Sequence, residues 1–328
     1  GGSGDWYQSA EPRQRVCAQG GTSEPGCAAQ APISDDLKLA AISVEAFHKA
    51  SLIHDDIEDN DAERYGEPTL HSEYGVGVAL NVGDLLIGEG YRLLAEMTCA
   101  SHIRSACLKV AAEGQRELCR GQGAELLWNN HPVALSNTQV LEIFRSKTAP
   151  AFEVALKIGA AMAGQLDETA DALHSYSENL GIAYQIRDDL DDLGDDSAAD
   201  NNVSIRPSII LALLRERGKD EVKDTMEALW NSTATSLPDK PTIRRWAEET
   251  GAYDKSTLML ETYKEAAIRS LQEVELPNLK GLLRRVIGKI FNELEIKGWC
   301  REFEQKNLNP ELREQAAKAA EHLVAKVA

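Results

Sequence analysis

The sequence has few aromatic residues and no long uninterrupted hydrophobic run. Aromatic residues make up 5% of the 328 residues and hydrophobic residues 43%, so the core is expected to be large and mostly aliphatic. No stretch approaches the roughly 20 apolar residues that a membrane-spanning helix requires, and no signal peptide is recognisable. We therefore expect a cytoplasmic protein without a transmembrane segment, long enough for one large domain or two ordinary ones.

Positive charge is also scarce. The chain has 35 Lys and Arg residues against 53 Asp and Glu residues, which gives a formal net charge of -18. Nucleic acids and anionic membranes are bound through basic surfaces, so this balance argues against both as partners. An acidic protein that handles a phosphorylated substrate would need cations between its own carboxylates and the phosphate groups.

Cysteines are few, and none of them forms a C-x-x-C pair. That spacing is typical of zinc and redox sites, so its absence favours reduced thiols that are mostly buried in helices. A zinc site or disulfides remain the less favoured alternatives. The six residues are Cys17, Cys27, Cys99, Cys107, Cys119 and Cys300.

Most of the chain has the apolar spacing of helices. Residues 1–33 are rich in Gly, Ser, Gln, Pro and Ala, show no clear period and are expected to be irregular. From Ile33 onward apolar residues recur with helical spacing and without convincing strand alternation. Ser34 followed by two aspartates predicts a helix start, and residues 34–328 are predicted to form a single all-helical domain. Breaks between helices are expected at 65–68, 129–132, 194–202, 238–241, Pro277 and Pro310, the last followed by a charged amphipathic helix.

Two aspartate-rich segments have the pattern D-D-x-x-D, and each follows an apolar stretch. On a helix, the first and last carboxylates of this pattern stack on one face and repel each other. Like charges that face inward need compensation. Carboxylate oxygens suit Mg²⁺, which completes its shell with water and substrate phosphate. The aspartates are Asp55, Asp56 and Asp59 in the first segment and Asp188, Asp189 and Asp192 in the second.

Other interpretations of these carboxylates explain less of the pattern. A solvated acidic face would account for one segment but not for two copies that both follow apolar residues. A calcium loop starting at Asp59 would lack the glycine required at its sixth position, which is Arg64. A carboxylate pair acting on a sugar would not use six side chains. A shared Mg²⁺ cluster is therefore the favoured hypothesis.

The two segments and their flanks resemble the trans-isoprenyl diphosphate synthases, also called polyprenyl synthetases. The resemblance implies an all-α isoprenoid-synthase helical bundle around a central cavity, with the two clusters facing each other and about three Mg²⁺ ions between them. All six aspartates would then ligate metal, and we also expect a homodimer. The matching stretches lie between Phe47 and about Asp192 in the family's order: FHKASLIHDDIEDND, YGEPTLH, GDLLIGEGYRLL, GQGAELLW, SKTAP and YQIRDDLDD.

The same resemblance implies a reaction and a set of substrate-binding residues. Metal ions and basic side chains would stabilise the pyrophosphate that leaves an allylic isoprenoid diphosphate. The double bond of isopentenyl diphosphate would then attack the allylic cation. Lys147 would act in catalysis together with the aspartates. The implied substrate-binding residues are Arg64, Lys147, Thr148, Gln185, His48 and Arg13.

The sequence departs from the family pattern where isopentenyl diphosphate would bind. Pro12 stands in place of a lysine, Tyr65 in place of a second arginine, and the loop after the second cluster lacks its usual lysines. Arg206 either compensates for them or is an ordinary surface arginine. Each lost charged hydrogen bond costs about 1.5–3 kcal/mol, so a weak acceptor site is expected. A prenyltransferase is the leading hypothesis; the alternatives are a diverged terpene cyclase or unusual coupling enzyme, and a non-catalytic prenyl-lipid-binding or regulatory subunit.

Two small residues before the first cluster indicate how long the product is. Ser51 and Ala50 lie four and five positions before Asp55, about one helical turn away. In short-chain members of the family an aromatic side chain there closes the tunnel for the growing chain. Small residues at these positions predict a product of twenty carbons or longer. The alternative is that they only allow two helices to pack closely.

Overall fold

A computed structural model describes residues 33–64, 66–130, 132–194, 206–230 and 237–291. The predictions for Pro12, Arg13, Tyr65 and the helix after Pro310 lie outside these ranges. In the described part the secondary-structure elements are α1 (Asp35–Asp59), β1 (Glu63–Arg64), β2 (Glu67–Pro68), α2 (Leu70–Tyr74), α3 (Val76–Glu96), α4 (Ser101–Asn130), α5 (Asn137–Met162), α6 (Leu166–Gly194), α7 (Ile209–Arg217), α8 (Asp220–Trp230), α9 (Lys240–Glu249), α10 (Ala252–Ser270), a 3-10 turn (Leu271–Glu273) and α11 (Pro277–Ile290).

The predicted all-α architecture is confirmed, with one small addition. β1 and β2 form a two-residue antiparallel hairpin in which Arg64 pairs with Glu67. The sequence did not indicate it because two residues are too short to show alternation. Gly66, with φ of +80°, turns the chain between the strands, a conformation that costs glycine little. The hairpin places Arg64 just beyond the end of α1.

Helix starts follow the capping residues of the sequence. The Ser34 side chain accepts a hydrogen bond from the Leu37 amide at 3.2 Å, which confirms the predicted start of α1. Ser136 and Gln139 form a capping box at the start of α5, each side chain bonding to the other's backbone amide. These caps satisfy amide groups that the first helical turn leaves without intrahelical partners.

Helix ends were predicted less completely. The breaks expected near residues 129–132, at Gly194 and at Pro277 coincide with element boundaries. The boundaries at Gly75, Gly164 and Gly251, where φ is +86°, +68° and +68°, were not predicted from the sequence. Each of these single glycines ends or begins a helix in a backbone conformation that other residues rarely adopt. Single glycines also occur inside helices, so composition alone did not distinguish the two cases.

The helices pack around aliphatic cores, and the most extensive contacts join α4 to α5, α1 to α3, α5 to α6 and α6 to α10. One core joins the helices from α5 to α10, and the buried residues of α7 contribute much of it. A second joins α5, α6, α10 and α11, and a third joins α1, α3, α4 and α5. All residues from Ile209 to Leu214 are buried, as expected for a short helix that is apolar on every side. Burial of each such leucine or isoleucine contributes about 1.5–3 kcal/mol.

The contact between α1 and α3 positions the end of α1. The Ser43 hydroxyl donates to the Gly90 carbonyl at 2.8 Å. Phe47 packs edge-on against Tyr91, with ring centroids 5.0 Å apart. A Cβ on Gly90 would lie 2.5 Å from the Phe47 ring, so the absence of a side chain there permits the approach. These contacts hold the helix whose last turns carry Asp55.

Ala50 lies on the same face of α1 and is 1% exposed. Its burial agrees with the close-packing interpretation of the small residues before Asp55. Ser51 is exposed, and its hydroxyl donates to the His48 carbonyl at 2.8 Å. That these two small residues leave the product tunnel open remains a prediction from the sequence.

Among the helices in the described ranges, none is both long and apolar enough to cross a membrane. The division of the chain at residues 33 and 34, the single domain and the cytoplasmic location stay predictions.

Candidate active site

The first aspartate cluster lies at the end of α1 and contacts Arg64 from the hairpin. Asp56 is buried, 6% exposed, and accepts a hydrogen bond from the Arg64 Nε. The Arg64 Nη2 lies 3.8 Å from Asp55 Oδ2 and 3.8 Å from Asp61 Oδ2. Asp59, the last residue of α1, is exposed. The structure therefore places Arg64 among the carboxylates with which the sequence grouped it.

Lys147 approaches this cluster from α5, at a point where α4 and α5 come unusually close. Pro150 lies inside α5 and has no amide hydrogen, so it cannot bond to the Ser146 carbonyl one turn earlier. A Cβ on Gly121 of α4 would lie 2.3 Å from that carbonyl and 2.6 Å from the Lys147 amide nitrogen. Only glycine fits at position 121 without displacing the backbone that carries Lys147.

The Lys147 ammonium group links the cluster to a carboxylate that the sequence analysis did not single out. Its Nζ lies 2.7 Å from Glu125 Oε2 and 4.0 Å from Asp55 Oδ1. The Gln122 amide also donates to Asp55 at 3.3 Å and to Glu58 at 2.7 Å. Gln122 and Glu125 belong to the matched stretch GQGAELLW, which was the available signal for both residues.

The second cluster lies near the end of α6. Asp189 is 5% exposed and accepts a hydrogen bond from the Ile209 amide at 2.7 Å, at the start of α7. The Arg206 Nη2 donates to Asp189 at 3.3 Å and also to Asp192. Asp188 accepts from its neighbour Arg187 at 2.9 Å. Arg206 is thus placed at the carboxylates and is not an isolated surface arginine.

Thr148 and Gln185 meet between α5 and α6. The Gln185 amide donates to the Thr148 hydroxyl at 2.9 Å. A Cβ on Gly181 would lie 2.7 Å from the Ala149 amide nitrogen, so glycine again allows two helices to approach. This contact joins the helix that carries Lys147 to the helix that carries the second cluster.

Burial dominates the electrostatics of the aspartates. Burial raises the pKa of Asp55 to about 6, and the charges of Asp59 and Glu125 add to the rise while Lys147 and Arg64 oppose it. Burial likewise raises the pKa of Asp189 to about 6, against the opposing charge of Arg206. The charged forms of these carboxylates are therefore short of compensating positive charge.

The negative charge of Glu125 affects basic side chains at both clusters. Burial alone would lower the pKa of Arg206, but Asp189, Asp192 and Glu125 outweigh it and raise that pKa. Glu125 also lies beside Lys147, whose ammonium group faces Asp55. Glu125 therefore pairs with Lys147 at the first cluster, and its charge also contributes to the raised pKa of Arg206 at the second.

The donor chemistry fits magnesium, although no ready-made cage is present. Within the described residues, no three His, Cys, Asp or Glu side chains are arranged as a set of metal ligands. Arg64 and Arg206 bond to carboxylates that would belong to such sets. Mg²⁺ is usually held by one or two carboxylates plus water and substrate phosphate, so a complete protein cage is not required. The raised pKa values of Asp55 and Asp189 agree with a site that favours an added cation.

Two predicted substrate-binding residues are not joined to either cluster by the contacts described. His48 is exposed on α1, and its Nδ1 lies 3.4 Å from Glu45 Oε2. Arg13 lies outside the described residues. The predicted roles of both residues remain untested.

A helical fold with two aspartate clusters, each in contact with basic side chains, defines a class of proteins whose carboxylates can hold divalent cations. The family model for polyprenyl synthetases matches residues 24–225. The chain belongs to the polyprenyl synthetase family.

Curated relatives include several isoprenyl diphosphate synthases. The chain is 33% identical over 216 residues to a short chain isoprenyl diphosphate synthase of Methanocaldococcus jannaschii, covering 64% of this chain and 65% of the relative. It is 32% identical over 192 residues to a geranylfarnesyl diphosphate synthase of Natronomonas pharaonis, covering 56% of each. The chain thus spans between about half and two thirds of the length of these relatives.

Solved structures show the same fold. A polyprenyl synthase from Caulobacter crescentus, complexed with calcium and isoprenyl diphosphate, superposes with a TM-score of 0.68 at 26% identity, covering 78% of each chain. A decaprenyl diphosphate synthase from Rhodobacter capsulatus gives a TM-score of 0.70 at 20% identity, covering 80% of this chain and 81% of that one.

Proposed function

We propose that this protein is a Mg²⁺-dependent trans-prenyltransferase. It ionises an allylic isoprenoid diphosphate with release of pyrophosphate, joins the allylic cation to the double bond of isopentenyl diphosphate, and forms the product by loss of a proton to the released pyrophosphate. The observation that carries the proposal is the position of α5 between the two clusters: its Lys147 lies 4.0 Å from Asp55, and the neighbouring Thr148 accepts a hydrogen bond from Gln185, three residues before Asp188. Membership of the polyprenyl synthetase family and the named activities of the relatives support the same reaction.

The basic residues of the site share one task in this proposal. Arg64, Lys147 and Arg206 bind the oxygens of the allylic diphosphate as charged hydrogen-bond donors, exchanging some of their present carboxylate contacts for phosphate. The aspartates of the two clusters would hold Mg²⁺, about three ions by resemblance, and these ions would supply positive charge to the departing pyrophosphate. The Gln185–Thr148 hydrogen bond keeps α5 and α6 aligned while these groups act.

The product is expected to have twenty carbons or more. Geranylgeranyl and geranylfarnesyl diphosphate synthases among the relatives support this length. The small residues Ala50 and Ser51 leave no aromatic side chain one turn before Asp55. The acceptor site is expected to be weak because Pro12 and Tyr65 replace basic residues.

A homodimer is part of the same proposal. Several apolar side chains of α3 are exposed in the single chain, among them Val76 at 54%, Leu80 at 48% and Leu85 at 61%. A second copy covering part of this helix would remove apolar surface from water.

The decisive experiment identifies the products of the protein with Mg²⁺ and farnesyl diphosphate, with and without labelled isopentenyl diphosphate. Labelled prenyl diphosphates of twenty or more carbons are the expected result. Pyrophosphate and a cyclic or rearranged product without isopentenyl diphosphate would replace the proposal with a diverged cyclase or coupling enzyme. Absence of turnover under both conditions would favour a non-catalytic subunit.

A further inference from the structure

Arg187 contacts the second cluster but has no task in the proposed reaction. It lies on α6 directly before Asp188, and its side chain is 23% exposed. The Nη2 donates to Asp188 Oδ1 at 2.9 Å, and the Nε lies 3.5 Å from Asp191 Oδ2. One edge of the guanidinium group therefore faces the carboxylates at the end of α6.

The rest of the guanidinium group is held by aromatic rings and by the end of α11. Its central carbon lies 4.4 Å from the centroid of the Tyr184 ring and 5.6 Å from that of Phe291. The Nη1 donates to the Ile290 carbonyl at 2.7 Å. A planar cation that stacks on rings and donates in fixed directions is restricted in both position and rotation.

The end of α11 is itself anchored independently of Arg187. The Lys264 Nζ lies 5.2 Å from the centroid of the Phe291 ring, so that ring contacts two cations. About two turns earlier in α11, the Leu283 carbonyl accepts a hydrogen bond from the buried Tyr176 hydroxyl at 2.8 Å. Arg187 thus connects a fixed helix end to Asp188.

A carboxylate binds a metal ion more tightly when a neighbouring hydrogen-bond donor fixes the orientation of that carboxylate. We propose that Arg187 is a positioning residue. Tyr184, Phe291 and the end of α11 hold its guanidinium group in place, and the guanidinium group in turn fixes the orientation of the Asp188 carboxylate for metal binding. This inference rests on the proposed function, because Asp188 is a ligand only if the metal site exists.

A purely structural role for Arg187 makes a different prediction. If the side chain only joins α6 to α11, its removal lowers the stability of the fold and leaves the metal affinity of the folded protein unchanged. If it positions Asp188, metal affinity falls in protein that remains folded. The two roles are separated by measuring binding and folding on the same samples.

The experiment measures Mn²⁺ binding by electron paramagnetic resonance in the presence of inorganic pyrophosphate, with near-UV circular dichroism to quantify folded protein. Mn²⁺ replaces Mg²⁺ because both prefer carboxylate and phosphate oxygens. Arg187→Gln is expected to weaken Mn²⁺ binding about 10- to 100-fold, the usual effect of removing such a neighbouring group. Arg187→Lys keeps the positive charge but lacks the planar guanidinium group. Phe291→Leu keeps Arg187 but removes one of the two rings that contact it. Both variants should therefore lose less Mn²⁺ affinity than Arg187→Gln.

Arg285→Gln is the matched control, since Arg285 is an exposed arginine on α11 and should leave binding within twofold of wild type. Wild-type affinity in folded Arg187→Gln, or a loss only in proportion to the unfolded fraction, overturns the positioning role. Should Arg187→Gln not fold, Arg187→Lys and Phe291→Leu decide by the same criterion. Failure of the wild-type protein to bind Mn²⁺ with pyrophosphate would reject the metal site, and with it both the proposed function and this role.

Discussion

Single carboxylates in this protein differ mainly in how far they are buried and which cation they face. Asp189 is almost completely buried and bonded to both a backbone amide and Arg206, whereas Asp59 is exposed. Asp55 is intermediate, with its pKa raised to about 6 by burial despite two nearby cations. A carboxylate whose pKa is raised in this way is stabilised in its charged form by an added metal ion.

Asp55→Asn and Asp188→Asn are therefore expected to lower kcat by about 10²–10³-fold, the loss typical of removing one charge-stabilising group. Both changes keep the shape of the side chain and relieve repulsion between neighbouring carboxylates, so the thermal midpoint should stay close to wild type. Steady-state kinetics and thermal unfolding measure the two effects. Asp171→Asn, an exposed change on α6, is the control; near-normal turnover in both site variants would reject the metal-cluster interpretation.

At the scale of helices, close approach at glycine positions determines where the site residues lie. Gly121 allows α4 to contact the backbone beside Lys147, and Gly181 allows α6 to contact α5 beside Thr148. Neither contact depends on polar side chains, so the sequence shows only the glycines and not their partners.

Gly121→Ala should destabilise the fold by about 1–3 kcal/mol, because its Cβ would lie 2.3 Å from the Ser146 carbonyl in a packed interface. It should also reduce turnover by displacing Lys147. Gly123→Ala, on the same helix, meets nothing within 4 Å and should stabilise by about 0.5–1 kcal/mol. Urea unfolding and kcat measure both variants; equal effects of the two substitutions would contradict the packing argument.

Glu153 and Lys157 of α5 form an ion-pair group with His174 of α6. This group makes the free energy of unfolding depend on pH. Burial would raise the pKa of Glu153, but hydrogen bonds from Lys157 and His174 outweigh it and lower that pKa below its ordinary value of 4.5. A depressed carboxyl pKa stabilises the folded state above the unfolded-state pKa, and this contribution is lost as the pH falls through the folded-state pKa.

Glu153→Gln should therefore cost a few tenths to about 1 kcal/mol at pH 7. The difference from wild type should shrink as the pH falls below about 4.5, the window set by the lowered pKa. Urea unfolding at pH 7, 5 and 3.5 measures it. Glu113→Gln, which removes an exposed pair with Lys109, should show little effect at any pH; a pH-independent loss in Glu153→Gln would contradict the assignment.

Features of the site that depend on local sequence were predictable, and features that depend on tertiary contacts were not. Ser34 and the D-D-x-x-D spacing indicated the start of α1 and the carboxylates near its end. Glu125, by contrast, gains its importance only from facing Lys147 across two helices. The position of the Arg187 side chain depends on its contact with Phe291, about a hundred residues further along the chain, so no local sequence pattern could indicate that contact.

At the scale of the whole molecule, the apolar side chains left exposed on α3 favour self-association. The protein is expected to sediment as a dimer at micromolar concentration, and Leu85→Asp should shift it toward the monomer. Asp84→Asn, a neighbouring exposed polar position, should not. A wild-type protein that sediments as a monomer would contradict the proposed assembly.

The central claim is that two aspartate clusters on separate helices bind one metal–diphosphate complex. The most direct measurement is a crystal structure of the protein with Mn²⁺ and a non-ionising thiolo analogue of an allylic diphosphate, with anomalous data to locate the metal. Anomalous peaks are expected within bonding distance of Asp55 on α1 and of Asp188 or Asp189 on α6, with the diphosphate between the two sides. Metal bound at only one cluster, or an analogue bound away from both, would contradict the central claim.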